Sequence, residues 1–86
     1  MQVQIVRSLY GDLHAHRLGC KDVQVSKYAR EDIRDAWVLE ATTVREVVTE
    51  IYPPSNFGYD PNVPSEYSVY ENDVQVFPCA SRSLSR

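Results

Sequence analysis

Apolar and polar positions alternate from the start of the chain. In residues 3–9, "VQIVRSL", Val3, Ile5 and Arg7 fall on one side and Gln4, Val6 and Ser8 on the other. A period of two rich in β-branched residues predicts a strand. Tyr10, Gly11 and Asp12 read as a turn, after which residues 13–18 either pair back as a hairpin or continue a bent first strand. Two periods compete over residues 20–34, "CKDVQVSKYAREDIR". Val23 and Val25 alternate as in a strand, whereas Val23, Lys27 and Arg30, with Ala29 and Ile33, allow a helix. Gly19 just ahead and the charge pattern of "KYAREDIR" tilt the reading toward helix.

The middle of the chain is clearer. Trp37, Val38 and Leu39 in "DAWVLEA" are consecutive residues of high β propensity, which predicts a central strand buried on both faces. In the next segment Thr43 and Glu46 have capping-box spacing, and Val44, Val47, Val48 and Ile51 form an apolar stripe at i, i+3, i+4 and i+7. A helix is predicted there, stopped by Pro53 and Pro54, which have no N–H to donate. Residues 55–73 carry two prolines, a glycine and four aromatics, and read as a long loop, of a length that is either functional or carries short turns of its own, pinned by Phe57, Tyr59, Tyr67 and Tyr70. "DVQVFPC" at 73–79 reads as a closing strand, and the polar tail 81–86 as frayed.

The order of elements implies an α+β, or small α/β, fold. It has a three- to four-stranded sheet with two helices packed on one face. Residues 1–80 form a single compact domain and 81–86 a flexible tail. With 86 residues there is material for one core only. A hydrophobic fraction of 43% with 24% charged residues excludes the disordered class. No apolar run approaches the ~20 residues that span a bilayer, and the first residues lack the basic, apolar and cleavage regions of a secretory signal. The expected compartment is a cytoplasm, where thiols are normally reduced.

Charge is uneven along the chain. Residues 1–45 hold seven Lys/Arg and six Asp/Glu, whereas 46–81 hold six acids and no Lys/Arg. That half is unsuited to nucleic acid, which needs clustered cations. It fits a basic protein partner or a merely solvated face.

The chemistry-bearing residues are His14, His16, Cys20 and Cys79. On a strand His14 and His16 share a face, so the pair is a workable donor set for zinc, with Cys20 and Cys79 completing a tetrahedral site. The same residues also allow a Cys20–Cys79 disulfide, a catalytic thiol, or four independent side chains. Paired C-x2-C knuckles are absent, which favours independent residues over zinc. A catalytic Cys20 with a histidine base lacks a third, orienting group. Asp60, Glu66, Glu71 and Asp73 do not have calcium-loop spacing, and no phosphate-loop, dinucleotide, nucleophile-elbow or HExxH motif occurs. The chain is therefore expected not to be an enzyme, and to carry no cofactor or a zinc ion.

The segments "HRLGCKDV", "DAWVLEATTVREVVTEIY" and "DVQVFPC" together resemble small uncharacterised proteins encoded by bacteriophages of actinobacteria. These share a His-x-x-Gly-Cys-x-Asp-Val opening, an acidic and aromatic middle and a Phe-Pro-Cys ending. The likeness covers residues 16–79. His16, Cys20 and Cys79 fall on matching positions, whereas His14 does not clearly do so, which fits a Cys20–Cys79 contact beside one histidine as well as a metal. The resemblance implies a phage accessory protein in the host cytoplasm and no particular activity. The expected role is a non-enzymatic interaction module. It acts on a host or phage protein through Phe57, Tyr59, Asp60, Glu66, Tyr67 and Tyr70, with no nucleic-acid or membrane partner and with a homodimer allowed.

Overall fold

Strand β1 (Gln2–Ser8) turns back into β2 (Leu13–Arg17), with Val3 opposite Arg17 and Arg7 opposite Leu13. Of the two readings of residues 10–12, the turn is the one observed. Ser8 Oγ accepts from the N–H groups of Tyr10 (3.1 Å) and Asp12 (3.2 Å), and Gly11 takes φ +89°, a conformation other residues rarely adopt. This computed structural model describes residues 1–19 and 32–85.

Two further strands complete a mixed sheet. β3 (Ile33–Glu40) lies antiparallel on the outer side of β1, and β4 (Val74–Val76) runs parallel to β2, giving the order β3-β1-β2-β4. The strand expected at 35–41 is therefore real but forms an edge rather than the centre. Its apolar triplet alternates like any strand, so Leu39 enters the core while Val38 is left 46% exposed. The interior positions go to β1 and β2, where Val3, Ile5, Leu13 and Ala15 are all buried. The expected helix over 20–34 lies largely outside the described residues; its last two positions, Ile33 and Arg34, belong to β3.

Helix α1 (Val44–Ile51) closes the core from one side. Val44, Val47 and Val48 pack in one cluster with Val3, Ile5 and Leu13. Val47 and Val48 are wholly excluded from water, each worth about 1.5–3 kcal/mol relative to an exposed side chain. The cap differs slightly from the expected box. Thr43 Oγ1 does accept from the Glu46 N–H at 3.0 Å. The Glu46 carboxylate instead reaches one residue further back, to the Thr42 hydroxyl (2.7 Å) and N–H (3.3 Å). Those bonds, the hydroxyl first, hold its carboxyl below the usual range.

The segment expected as a long loop contains two helices, α2 (Pro54–Phe57) and α3 (Pro64–Glu71). A third, α4 (Pro78–Ser81), follows β4. Each begins on a proline, whose missing N–H costs nothing in a first turn and whose fixed φ suits it. Among the described residues no helix is long and apolar enough to cross a membrane.

The tail is not frayed through Ser85. Leu84 is only 6% exposed and joins the core cluster. Ser85 bonds to the start of α1 in both directions, accepting from the Val44 N–H (2.8 Å) and donating to the Thr42 carbonyl (3.0 Å). One apolar residue in a polar tail is enough when the core offers it a place. Leu84→Ala is expected to lower unfolding free energy by about 2–5 kcal/mol in a denaturant titration. A loss under ~0.5 kcal/mol, normal for a surface position, would mean that the tail does not dock.

Candidate functional site

Two clusters of side chains concern chemistry, one on each face of the sheet. The first lies on the face opposite α1. His14 and His16, two residues apart on β2, point to that face together and are both buried, His16 to 2% exposure. Their rings stand 6.2 Å apart at 65°.

Parallel pairing of β4 with β2 continues one residue beyond the strand, through the Phe77 N–H to the Ala15 carbonyl at 3.0 Å. Phe77 thereby lands over both imidazoles. Its ring stacks on His16 with centroids 4.1 Å apart at 22°, and lies 5.0 Å from His14. Pro78 then starts α4, which brings the Cys79 Sγ to 3.7 Å from His16 Nδ1. That is within reach of a thiol–imidazole hydrogen bond, with donor and acceptor set by the tautomer.

Cys79 is a free thiol, and it borders a groove shared with Arg17, Leu18, Gly19, Arg82 and Ser83. Three of the four residues expected at a metal or redox site are thus neighbours: His14, His16 and Cys79. Cys20 lies outside the described residues. Among the described residues, no group of three or more His, Cys, Asp or Glu side chains is arranged to hold a metal ion. The arrangement that is present is a packed aromatic stack with a thiol at its edge. Phe77 was the residue the motif reading missed: alternation puts it on the opposite side from Val76, but only the pairing of β4 with β2 makes that the histidine face.

The second cluster is built by α1, α2 and α3. Tyr59 is buried, stacks on Tyr70 (4.1 Å, 20°) and donates its hydroxyl to the Tyr52 carbonyl at 2.6 Å. Tyr52 meets Tyr70 at 5.2 Å and Phe57 at 5.1 Å, the latter edge-on. Gly58, at φ +68°, ends α2 and lets the chain double back. Ring pairs of this kind add about 0.5–1.5 kcal/mol each beyond their burial, so the four rings act as a small second core.

This changes the roles of the residues expected to contact a partner. Tyr59 is structural, not a contact surface. Tyr67 and Tyr70 are half-buried, with Arg45 placed 5.8 Å over the Tyr67 ring. Asp60 and Glu66 are exposed but also locally engaged: Asp60 Oδ1 accepts from the Asn62 N–H at 2.9 Å, and Glu66 Oε1 from the Asp60 N–H at 3.1 Å. Phe57, 47% exposed, keeps an open ring face, and Val69, which the sequence reading passed over, is 66% exposed. Glu66 and Val69 follow one another at i and i+3 along the solvent side of α3, both exposed.

The phenols of this cluster are held neutral. Burial first, and then donation to Asp73, pushes Tyr52 up to about 12; burial and the neighbouring Glu71 charge push Tyr67 up to about 12. Burial also raises Tyr59.

No family model, curated protein or solved structure matches the chain.

The stability that Tyr52 and Tyr67 supply is complete below pH 10, their ordinary value, and is lost as pH rises toward 12. A phenolate absorbance titration of the folded protein is expected to show two late-ionising phenols near pH 12, one of them removed by Tyr52→Phe. Ionisation of every phenol near pH 10 with the fold intact would contradict the assignment.

Proposed function

We propose that this chain is a non-enzymatic protein-interaction module that binds a basic surface on another protein through α2, α3 and their connection. The observation that carries this reading is the pairing of apolar exposure with single-sign charge. Phe57 and Val69 stand open to solvent in a stretch, residues 46–81, that has six acids and no Lys or Arg. Apolar anchors supply contact area, and an excess of acids around them, against the one guanidinium of Arg45 over Tyr67, steers a basic partner.

The aromatic rings beneath give the surface its shape before binding. Tyr52, Tyr59 and Tyr70 are locked by stacking, so little side-chain entropy remains to be lost on docking. Asp60 and Glu66 hold the turn into α3 while still presenting charge. The resemblance to actinobacteriophage proteins supports a host or phage protein as the partner and the host cytoplasm as the setting.

A second reading is a zinc-stabilised regulatory domain using His14, His16, Cys20 and Cys79. It is favoured by one observation, the 3.7 Å approach of Cys79 to His16 on the face that His14 shares. A structural zinc would add folding free energy that a domain this small can use.

Val69→Ser, at a position outside the ring cluster and 66% exposed, is expected to weaken capture of the partner from host extract about tenfold, with the melting temperature little changed. Phe57→Ser weakens capture too, but also costs stability through its lost contacts with Tyr52 and Tyr70. Capture would also weaken as salt rises. Equal recovery by Val69→Ser and the wild type would overturn the interaction reading. Zinc content of the same preparation, made without chelator, decides the second: a value near zero ends it.

A further inference from the structure

The outer edge of the sheet is β3, and its backbone phase can be fixed. Met1 and Ala41 exchange both backbone bonds, Met1 N to Ala41 O at 2.7 Å and Ala41 N–H to Met1 O at 3.0 Å. In an antiparallel ladder such doubly bonded pairs recur at every second residue. The pairs Val3–Leu39, Ile5–Trp37 and Arg7–Asp35 thus turn their peptide groups toward each other. It follows that Ala36, Val38 and Glu40 direct theirs away from β1, past the edge. Arg34, at the register shift between Arg7 and Ser8, has no counterpart on β1. All four of these residues are exposed.

An eight-residue edge of this kind is a template for another strand unless something blunts it. Two of the usual protections are missing along most of it: β3 has no proline, and its one irregularity lies at its beginning, leaving 35–40 regular; what remains is charge, at Arg34, Asp35 and Glu40.

We propose that β3 is the seat of a homodimer, in which a second copy pairs antiparallel with it about a two-fold axis beside Trp37. Only registers that set residues 36, 38 and 40 against positions of the same parity connect the outward peptide groups of Ala36, Val38 and Glu40; Arg34, at the bulge, enters through its side chain alone. Centred on Ala36, the pairing opposes Arg34 to Val38; centred on Val38, it opposes Glu40 to Ala36. Centred on Trp37, it sets Arg34 against Glu40 of the partner subunit, and Ala36 against Val38, twice over by symmetry. No like charges then meet. Asp35 is already engaged inside its own subunit, 3.6 Å from Arg7 Nε, and Arg7 lies 5.1 Å over the Trp37 ring. Glu40 Oε1 takes the Met1 ammonium at 3.0 Å, which holds the carboxylate beside the edge with a second oxygen for a guanidinium. Among the described residues Arg34 has no ion-pair partner of its own, and the proposed register supplies one.

This interface lies on the strand farthest from β4 and does not depend on the partner-binding face. Sedimentation equilibrium of the full chain, with emission from Trp37, the single tryptophan, is the test. Wild type is expected at twice the chain mass, dissociating on dilution with a shift in Trp37 emission. Val38→Pro removes only an outward N–H, which an edge strand tolerates, and is expected to be monomeric with unchanged circular dichroism. Arg34→Glu turns two attractive pairs repulsive and should raise the dissociation constant about tenfold. Arg34→Glu with Glu40→Arg exchanges the charges and should restore the wild-type value. If Val38→Pro fails to fold, the charge variants decide alone. A wild type that is monomeric at its highest soluble concentration would overturn the proposal. So would a dimer indifferent to Arg34→Glu, or a failure of the exchanged pair to recover.

Discussion

The parallel pairing of β4 with β2 is the constraint on which the other features rest. Leu13, His14 and Ala15 lie against Val74, Gln75 and Val76, and the Phe77 N–H adds one more bond to Ala15. Parallel strands cannot be joined by a tight turn, so everything between β2 and β4 must travel out, cross over and return. That return leg contains α1, α2 and α3. The pairing therefore gives β2 a neighbour on both sides, and places α1 over Val3, Ile5 and Leu13. It also delivers Phe77 and Cys79 to the histidine face.

The two faces of β2 illustrate why a period of two decides so much in so few residues. Leu13 and Ala15 face the core under α1, while His14 and His16 face Phe77. The four positions from Leu13 to His16 are all buried, an unusual state for a strand that carries two imidazoles. Stacking on Phe77 lets these rings behave as packed aromatics. The sulfur of Cys79 then has an imidazole beside it as a consequence of strand pairing, before any chemistry is invoked.

What could be read from the residues alone, and what could not, follows from which interactions are local. Helix α1 was legible because its cap, stripe and stop lie within a dozen residues, and the shared face of His14 and His16 because alternation is local too. The approach of Cys79 to His16 joins residues 63 apart in the sequence, which no local pattern encodes; the expected meeting of Cys79 with Cys20 lies outside the described residues. Segment 55–73 reads as a loop because a proline marks the end of one element and the start of the next alike. Pro54 and Pro64 stand at first turns, where proline starts helices, and Tyr67 and Tyr70 carry a helical spacing that two residues are too few to announce. The position of β3 was misread because Trp37, Val38 and Leu39 have strand propensity whether central or peripheral. Which strand takes the edge is settled by long-range pairing, to which propensity is blind. Leu84, one apolar residue among polar ones, gave no pattern at all.

Amide hydrogen exchange at Phe77 tests the β2–β4 closure most directly, because its N–H is bonded to Ala15 across the parallel junction and to nothing local. If that junction holds the fold together, this amide exchanges only through global opening, with the protection of the core amides of β1 and the same dependence on denaturant. Exchange at the rate of an unstructured amide, while β1 and α1 stay protected, would contradict the account: β4 would be an appendage, and the placement of Phe77 and Cys79 against the histidines would fall with it.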